Sequence, residues 1–260
     1  MIASDLAVHL ENVALTYGRG VKQIAAIENV SLTIRQGEIV ALIGPSGCGK
    51  STTLRIVASL LRPTAGTVTV QARSTGNSQR LRFDEVAMMF QHPALLDWRT
   101  VEGNVTLPLE ALGIGGEECK RRARSVLETV GLGGFETRRP YELSGGMQQR
   151  VAMARVLVVE PRLLLLDEPF GALDAITRDK LCLELAALCS ARQMSVLLVT
   201  HSITEAIFLA DRVLVMSQRP GRIAMELDIP IPRPRNIEDR TSDIGRALEN
   251  ELLRTLVVAS

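Results

Sequence analysis

Residues Gly44 to Thr52 read G-P-S-G-C-G-K-S-T, between an apolar run at Ile39–Ile43 and a helix-like run from Ser51 to Leu60. A strand, a glycine-rich turn and a helix start, in that order, make a cradle for the phosphates of a nucleotide. Gly44, Gly47 and Gly49 let the backbone curl around an anion, because positive φ costs glycine nothing. The loop amides and the N-terminus of the helix then direct partial positive charge at phosphate oxygens. Lys50 has the reach for the β- and γ-phosphates, and the Ser51 hydroxyl suits Mg2+. The whole stretch, with Pro45, Ser46, Cys48 and Thr52, is assigned to nucleotide binding.

The rest of the chain fits a globular host for such a site. Its 260 residues are 46% hydrophobic and 23% charged, enough for a sizeable core in one large domain or a domain with a subdomain. The formal net charge is +1, which points away from a nucleic-acid partner held by bulk electrostatics. Only four of the thirty basic residues are lysine, and the arginines are scattered rather than clustered. Cys48, Cys119, Cys182 and Cys189 show no C-x2-C pair, so a reduced protein is expected, with no disulfide framework. Cys48 is read as a small residue that the loop tolerates, the competing reading being an oxidisable thiol. M-I-A-S-D-L-A-V-H-L has neither a basic region nor an apolar core, so no signal peptide is expected. No apolar run approaches the roughly 18 residues of a membrane span.

Ala7–Leu15 and Ile27–Ile34 alternate like antiparallel strands, with a turn at Gly37-Glu38. Pro63–Gly66 is a turn, Thr67–Gln71 and Glu85–Phe90 are strand-like, and Arg73–Arg82 is loop-like. From Gln91 to about Glu160 the pattern is helical, over Val101–Ala111, Glu117–Val130 and a long run after Ser144. Apolar strands then alternate with a helix: Leu163–Leu166, helix Thr177–Ala191, Ser195–Thr200 and Val213–Ser217. That alternation implies a parallel sheet covered on both faces. A proline-rich segment, Ile229–Arg235, leads to a final helix over Ile244–Val258.

Leu163–Glu168 reads L-L-L-L-D-E, a buried strand ending on two carboxylates. Asp167 is placed to hold Mg2+, and Glu168 to polarise a water attacking the γ-phosphate. Between that strand and the phosphate loop lies L-S-G-G-M-Q-Q-R, Leu143–Arg150. Ser144, Gly145 and Gly146 open a helix and form a second anion-binding N-terminus. A simple cap needs the serine but not two glycines. One nucleotide does not need two cradles, which suggests two copies arranged head to tail, each closing over the other's ATP.

In this order the motifs resemble the ATPase subunit of an ATP-binding cassette (ABC) transporter, across about residues 6–230. The resemblance implies an α/β P-loop NTPase cassette: a mainly parallel sheet core, an antiparallel β subdomain and an inserted helical subdomain at about 91–160. Residues 6–232 would form the nucleotide-binding domain and 233–260 a C-terminal extension. It further implies that Tyr17 stacks on adenine, that Gln91 contacts Mg2+ and the attacking water, and that Asp174, in G-A-L-D at Gly171–Asp174, communicates across the dimer. His201 resembles the histidine that holds the γ-phosphate and orients Glu168. ATP and Mg2+ are the implied ligands. The implied partners are a second copy, integral membrane permease subunits and, indirectly, a solute-binding protein, at the cytoplasmic face of the membrane.

Gln91–Val105, Q-H-P-A-L-L-D-W-R-T-V-E-G-N-V, resembles the L-L-P-W-R-T-V-x-x-N-V stretch of nitrate, sulfonate and taurine importers, with Asp97 where proline is usual. F-G-A-L-D-A at Phe170–Ala175 and M-S-Q-R-P-G-R-I at Met216–Ile223 resemble the same subfamily. A lone cassette also favours an importer. Trp98, the one tryptophan, has two readings: an anchor for the membrane partner, or part of the subdomain's own core. A P-loop kinase or GTPase would have no use for Leu143–Arg150. The alternative from another class is a soluble cassette ATPase of translation or DNA repair. Such proteins carry two cassettes or a long coiled-coil insertion, whereas about 100 residues separate phosphate loop and second cradle here.

Overall fold

The computed structural model describes residues 5–18, 23–70, 85–233 and 235–259. The expected loop at Arg73–Arg82, Gln71 of the expected Thr67–Gln71 strand and residues 19–22 lie outside them. The chain opens with two long antiparallel strands, β1 (Leu6–Tyr17) and β2 (Ile24–Arg35). A fully buried strand, β3 (Ile39–Ile43), runs into the phosphate loop and helix α1 (Lys50–Val57). That helix stops short of the expected Leu60, because Ser59 turns the chain out at φ +59. Strand β4 (Ala65–Val70) returns to pair with β1, completing a three-stranded antiparallel sheet in the order β2-β1-β4.

Strand β5 (Val86–Met89) leads to the helical subdomain, α2 (Val101–Ala111), α3 (Gly116–Thr129) and α4 (Gly145–Leu157). The alternation resumes with β6 (Leu163–Asp167), α5 (Ala175–Arg192), β7 (Ser195–Val199), a short α6 (Ile203–Leu209), β8 (Arg212–Met216) and β9 (Ile223–Asp228). Helices α7 (Ile237–Thr241) and α8 (Asp243–Ala259) close the chain. The core sheet has the order β5-β6-β7-β3-β8-β9, with only β9 antiparallel to its neighbour.

Each central strand faces two cores, which is why it reads as unbroken apolar sequence rather than alternation. Ile39, Ala41, Ile43, Leu164 and Leu166 point to one core, shared with the helical subdomain and with α5, α6 and α8. Val40, Leu42, Leu163 and Leu165 point to the other, shared with α1 and the antiparallel sheet. The segment after residue 233 packs on the first core through Leu248 and Leu252. Arg235 is buried there and donates to the carbonyls of Ile207, Phe208 and Ala210, capping the C-terminal end of α6.

Within the subdomain, buried Asn104 orders the segment that precedes α2. Its Oδ1 accepts from Leu96 N at 2.7 Å, and its Nδ2 donates to the carbonyls of Leu96 at 3.1 Å and Thr100 at 3.0 Å. Leu109 is fully buried where α2 packs against α3 and α4. Leu109→Ala is expected to destabilise the protein by about 2–5 kcal/mol, since the methyls removed leave a cavity. Chemical denaturation checks this: the midpoint falls while the slope is unchanged.

Candidate active site

Parallel pairing aligns strand ends, so β3, β5, β6 and β7 all release the chain on one side of the sheet. The phosphate loop follows β3, Gln91 follows β5, Asp167 ends β6 with Glu168 next, and His201 follows β7. A cavity of about 480 Å³ opens at that side, walled by Tyr17, Gly44, Ser46, Gly47, Gly49, Lys50, Ser51 and Thr52. Gln91, Glu168 and His201 line it opposite the loop, together with Ala26 and Arg219.

The cradle fits a polyphosphate. Gly49 sits in the left-handed region at φ +108, and a Cβ there would fall 2.3 Å from Ile27 Cγ2. No side chain caps α1, so its first amides are free of a side-chain acceptor and suited to an anion. Lys50 is 7% exposed. Its Nζ lies across the loop, donating to Gly44 O at 2.8 Å and Pro45 O at 2.9 Å. Pro45 and Cys48 do not line the cavity: Cys48 N closes a turn onto Pro45 O at 3.3 Å, and its thiol is buried. That burial favours packing over an exposed, oxidisable thiol. Tyr17 stands at the rim, its hydroxyl 3.3 Å from Thr52 Oγ1.

Ser51 Oγ donates to Asp167 Oδ1 at 2.8 Å. Burial pushes the Asp167 carboxyl above its ordinary range, and the Ser51 hydroxyl works against that shift. A hydroxyl and a buried carboxylate make an oxygen pair suited to Mg2+, whose charge would offset the desolvation of Asp167. The family resemblance implies that Gln91 contacts both the metal and the water. Its Nε2 donates to Glu168 Oε2 at 3.0 Å, and its amide oxygen has the chemistry for a magnesium ligand.

His201 Nδ1 lies 3.5 Å from the same Glu168 Oε2, so Gln91 and His201 converge on one carboxylate oxygen. Glu168 has φ +48, a left-handed conformation uncommon for glutamate. The surroundings impose it: Glu168 N donates to Val199 O at 2.8 Å, and its carbonyl accepts from Gly171 N at 3.4 Å and Gln149 Nε2 at 3.5 Å. A carboxylate fixed in this way beside a phosphate cradle has the means to align a water for attack on phosphorus.

The second cradle stands apart from this cavity. Ser144 caps α4, accepting from Met147 N at 3.3 Å. A Cβ on Gly146 would meet Ala172 O at 3.3 Å and Leu173 Cδ2 at 3.2 Å, so that glycine is explained by close packing under the Gly171–Asp174 loop. A Cβ on Gly145 would meet nothing within 4 Å, so nothing in its own chain requires a glycine there. Asp174 caps α5, and the Thr177 amide at 3.0 Å holds its carboxyl below the ordinary range. Ser144, Gly145, Gly146 and Asp174 do not line the cavity of their own chain.

One feature of the site is not visible in the sequence alone. The β8–β9 turn braces the cavity wall: Arg219 Nη2 donates to Gly47 O of the phosphate loop at 3.1 Å, and Gly221 N to Ala26 O on β2 at 3.0 Å. Its R-P-G sequence is a turn signal, but nothing local shows that the turn reaches the phosphate loop. Trp98 is 72% exposed, which removes burial in the subdomain core as its role.

The family described as ABC transporter matches residues 27–171. The aliphatic sulfonates import ATP-binding protein SsuB 1 of Agrobacterium fabrum is 42% identical, covering 96% of this chain and 84% of its own. The taurine import ATP-binding protein TauB of Yersinia pestis is 43% identical, covering 78% of each. Among solved structures, the ATP-binding cassette MJ0796, a dimer in a post-hydrolysis state with ADP and Pi, superposes with a TM-score of 0.78 at 36% identity. That match covers 86% of this chain and all of MJ0796, 100% of its chain.

A Cβ on Gly221 would lie 1.9 Å from Cys48 O, so Gly221→Ala forces the phosphate loop to move. Affinity for a fluorescent ATP analogue is expected to fall at least about tenfold, a change of about 1.4 kcal/mol in binding. Titration of that analogue checks it.

Proposed function

The chain belongs to the ABC transporter family as an ATP-binding subunit with ATPase activity, and we propose that two copies of it energise import of a small solute of the sulfonate, taurine or nitrate class. The observation that carries the site assignment is the convergence of Gln91 and His201 on one oxygen of Glu168, across from the phosphate loop. On this reading, Lys50 and the amides of Gly44–Thr52 bind the β- and γ-phosphates of ATP, and Tyr17 offers a face to adenine. Ser51, Asp167 and Gln91 would hold Mg2+, which when bound supplies positive charge to the phosphate oxygens. Glu168 accepts a hydrogen bond from the attacking water and aligns it in line with the leaving oxygen. His201 steadies Glu168 and faces the γ-phosphate.

Ser144, Gly145 and Gly146 serve the ATP of the second copy, with Asp174 at the boundary between copies. Two observations favour that division of labour. The second cradle stands clear of its own chain's cavity, and Gly145 leaves an open approach above the α4 N-terminus. MJ0796, solved as a dimer, is the structural precedent. Binding of two ATP molecules closes the pair, and hydrolysis reopens it.

Among the described residues no helix is long and apolar enough to cross a membrane. We place the protein at the cytoplasmic face by docking on integral permease subunits, which receive cargo from a solute-binding protein. The exposed Trp98, on a segment ordered by Asn104 next to Gln91, is the anchor assigned to the permease. Residues 6–232 serve as the nucleotide-binding domain, 91–160 as its helical subdomain and 233–260 as the extension. The similarity of the chain both to SsuB and to TauB, named for import of different solutes, supports the reading that the membrane and solute-binding subunits select the cargo.

Glu168→Gln is expected to keep ATP binding and lose at least about a hundredfold in kcat, the scale of a lost general base. Single-turnover hydrolysis alongside nucleotide titration checks it; ordinary turnover in that variant removes Glu168 from its role. Deleting the chain from its host is expected to abolish uptake of a labelled sulfonate, taurine or nitrate and to leave its permease subunits in washed membranes. Recovery of the chain with ribosomes or DNA, and unchanged uptake, would instead favour the soluble ATPase class.

A further inference from the structure

A half-buried ion pair outside the cavity links the Gly171–Asp174 loop to His201. Arg178, in the first turn of α5, reaches back so that its Nη2 donates to Leu173 O at 3.0 Å. Its Nε lies 3.6 Å from Glu205 Oε1. Glu205 is buried in the first turn of α6, and its other oxygen accepts from Thr200 Oγ1 at 2.5 Å. Thr200 Oγ1 in turn accepts from Ser202 N at 3.0 Å, so both neighbours of His201 are tied to this carboxylate. Burial pushes the Glu205 carboxyl up, while the Thr200 hydroxyl and the Arg178 charge favour its ionised form.

The contact is not fully made. Arg178 Nε is buried and makes no hydrogen bond among the described residues, and 3.6 Å is too long for one. A stranded buried donor is costly, and a shift of roughly half an ångström would satisfy it. The loop on the other side of Arg178 rests on Gly146, where the second cradle begins. A continuous chain therefore runs from Gly146 through Leu173, Arg178, Glu205 and Thr200 to His201, whose Nδ1 faces Glu168 at 3.5 Å.

We propose that Arg178 and Glu205 are a positioning pair that closes when the second copy seats on the Gly171–Asp174 loop, setting His201 against Glu168 and so making hydrolysis at one site depend on occupation of the other. This rests on the two-copy reading above. Neither residue lines the cavity, so the pair acts through His201 and not on nucleotide.

The test uses Arg178→Met, Glu205→Gln and the double variant of the full chain, with Mg-ATP as the probe. Each single change is expected to lower kcat about tenfold and the double no more than about threefold further, because residues that act as one unit are not additive. The Hill coefficient for ATP should fall from above one toward one, the loss of coupling between two sites. Nucleotide affinity, measured by titration without turnover, should stay within about twofold, since no contact to ATP is lost. Losses that multiply in the double variant, or a Hill coefficient that does not change, overturn the proposal. Should either change impair folding, judged by thermal unfolding, Thr200→Val cuts the same chain at its far end and must reproduce the fall in Hill coefficient. Glu168→Gln run in parallel separates the two ideas. Turnover in that variant sinks the site assignment itself, whereas its loss beside additive Arg178 and Glu205 effects sinks only the coupling.

Discussion

Everything in the site depends on the common direction of four paired strands. Parallel hydrogen bonding between β3, β5, β6 and β7 sends four separate stretches of chain out at one side of the sheet. A phosphate cradle, an amide, two carboxylates and an imidazole thus meet although they are spread from Gly44 to His201. Strands β3, β6 and β7 are short and buried on both faces, so their ends are positioned by a close-packed interior rather than by loops. That rigidity allows Glu168 to hold its unusual backbone geometry, anchored to Val199 on the neighbouring strand.

The sheet also divides the molecule's energetics. One face carries α1 and the antiparallel sheet, the other the helical subdomain and the C-terminal helices. Phosphate bound on α1 and the membrane contact proposed at Trp98 would therefore act on opposite faces of the same strands. The loops that join them, at Gln91 and Glu168, are where the two meet.

Much of this was legible because the relevant signals are local. The phosphate loop, the doubly buried strand ending in Asp167 and Glu168, and the serine cap of α4 each follow from residue type and spacing over a few positions. What escaped was short or depended on distant contacts. Helix α6 has seven residues, too few to display a helical period. Strand β9 is a six-residue edge strand beside a turn; its burial alternates strictly, but its inward residues are only half-buried and the run is short. The brace from Arg219 and Gly221 joins residues more than 170 positions apart, and no local pattern announces it. The two glycines of the second cradle read alike in sequence, yet one is explained by packing within the chain and the other is not.

Asn104 has a consequence for recognition. Its amide ties the Leu96 N–H and the Leu96 and Thr100 carbonyls before any partner arrives, leaving Trp98 displayed on a stretch already held at both ends. A partner that grips the indole then meets a pre-organised surface, so little of the attraction is spent on ordering the segment. Motion of the subdomain would reach such a partner as displacement rather than dissipate in a slack tether.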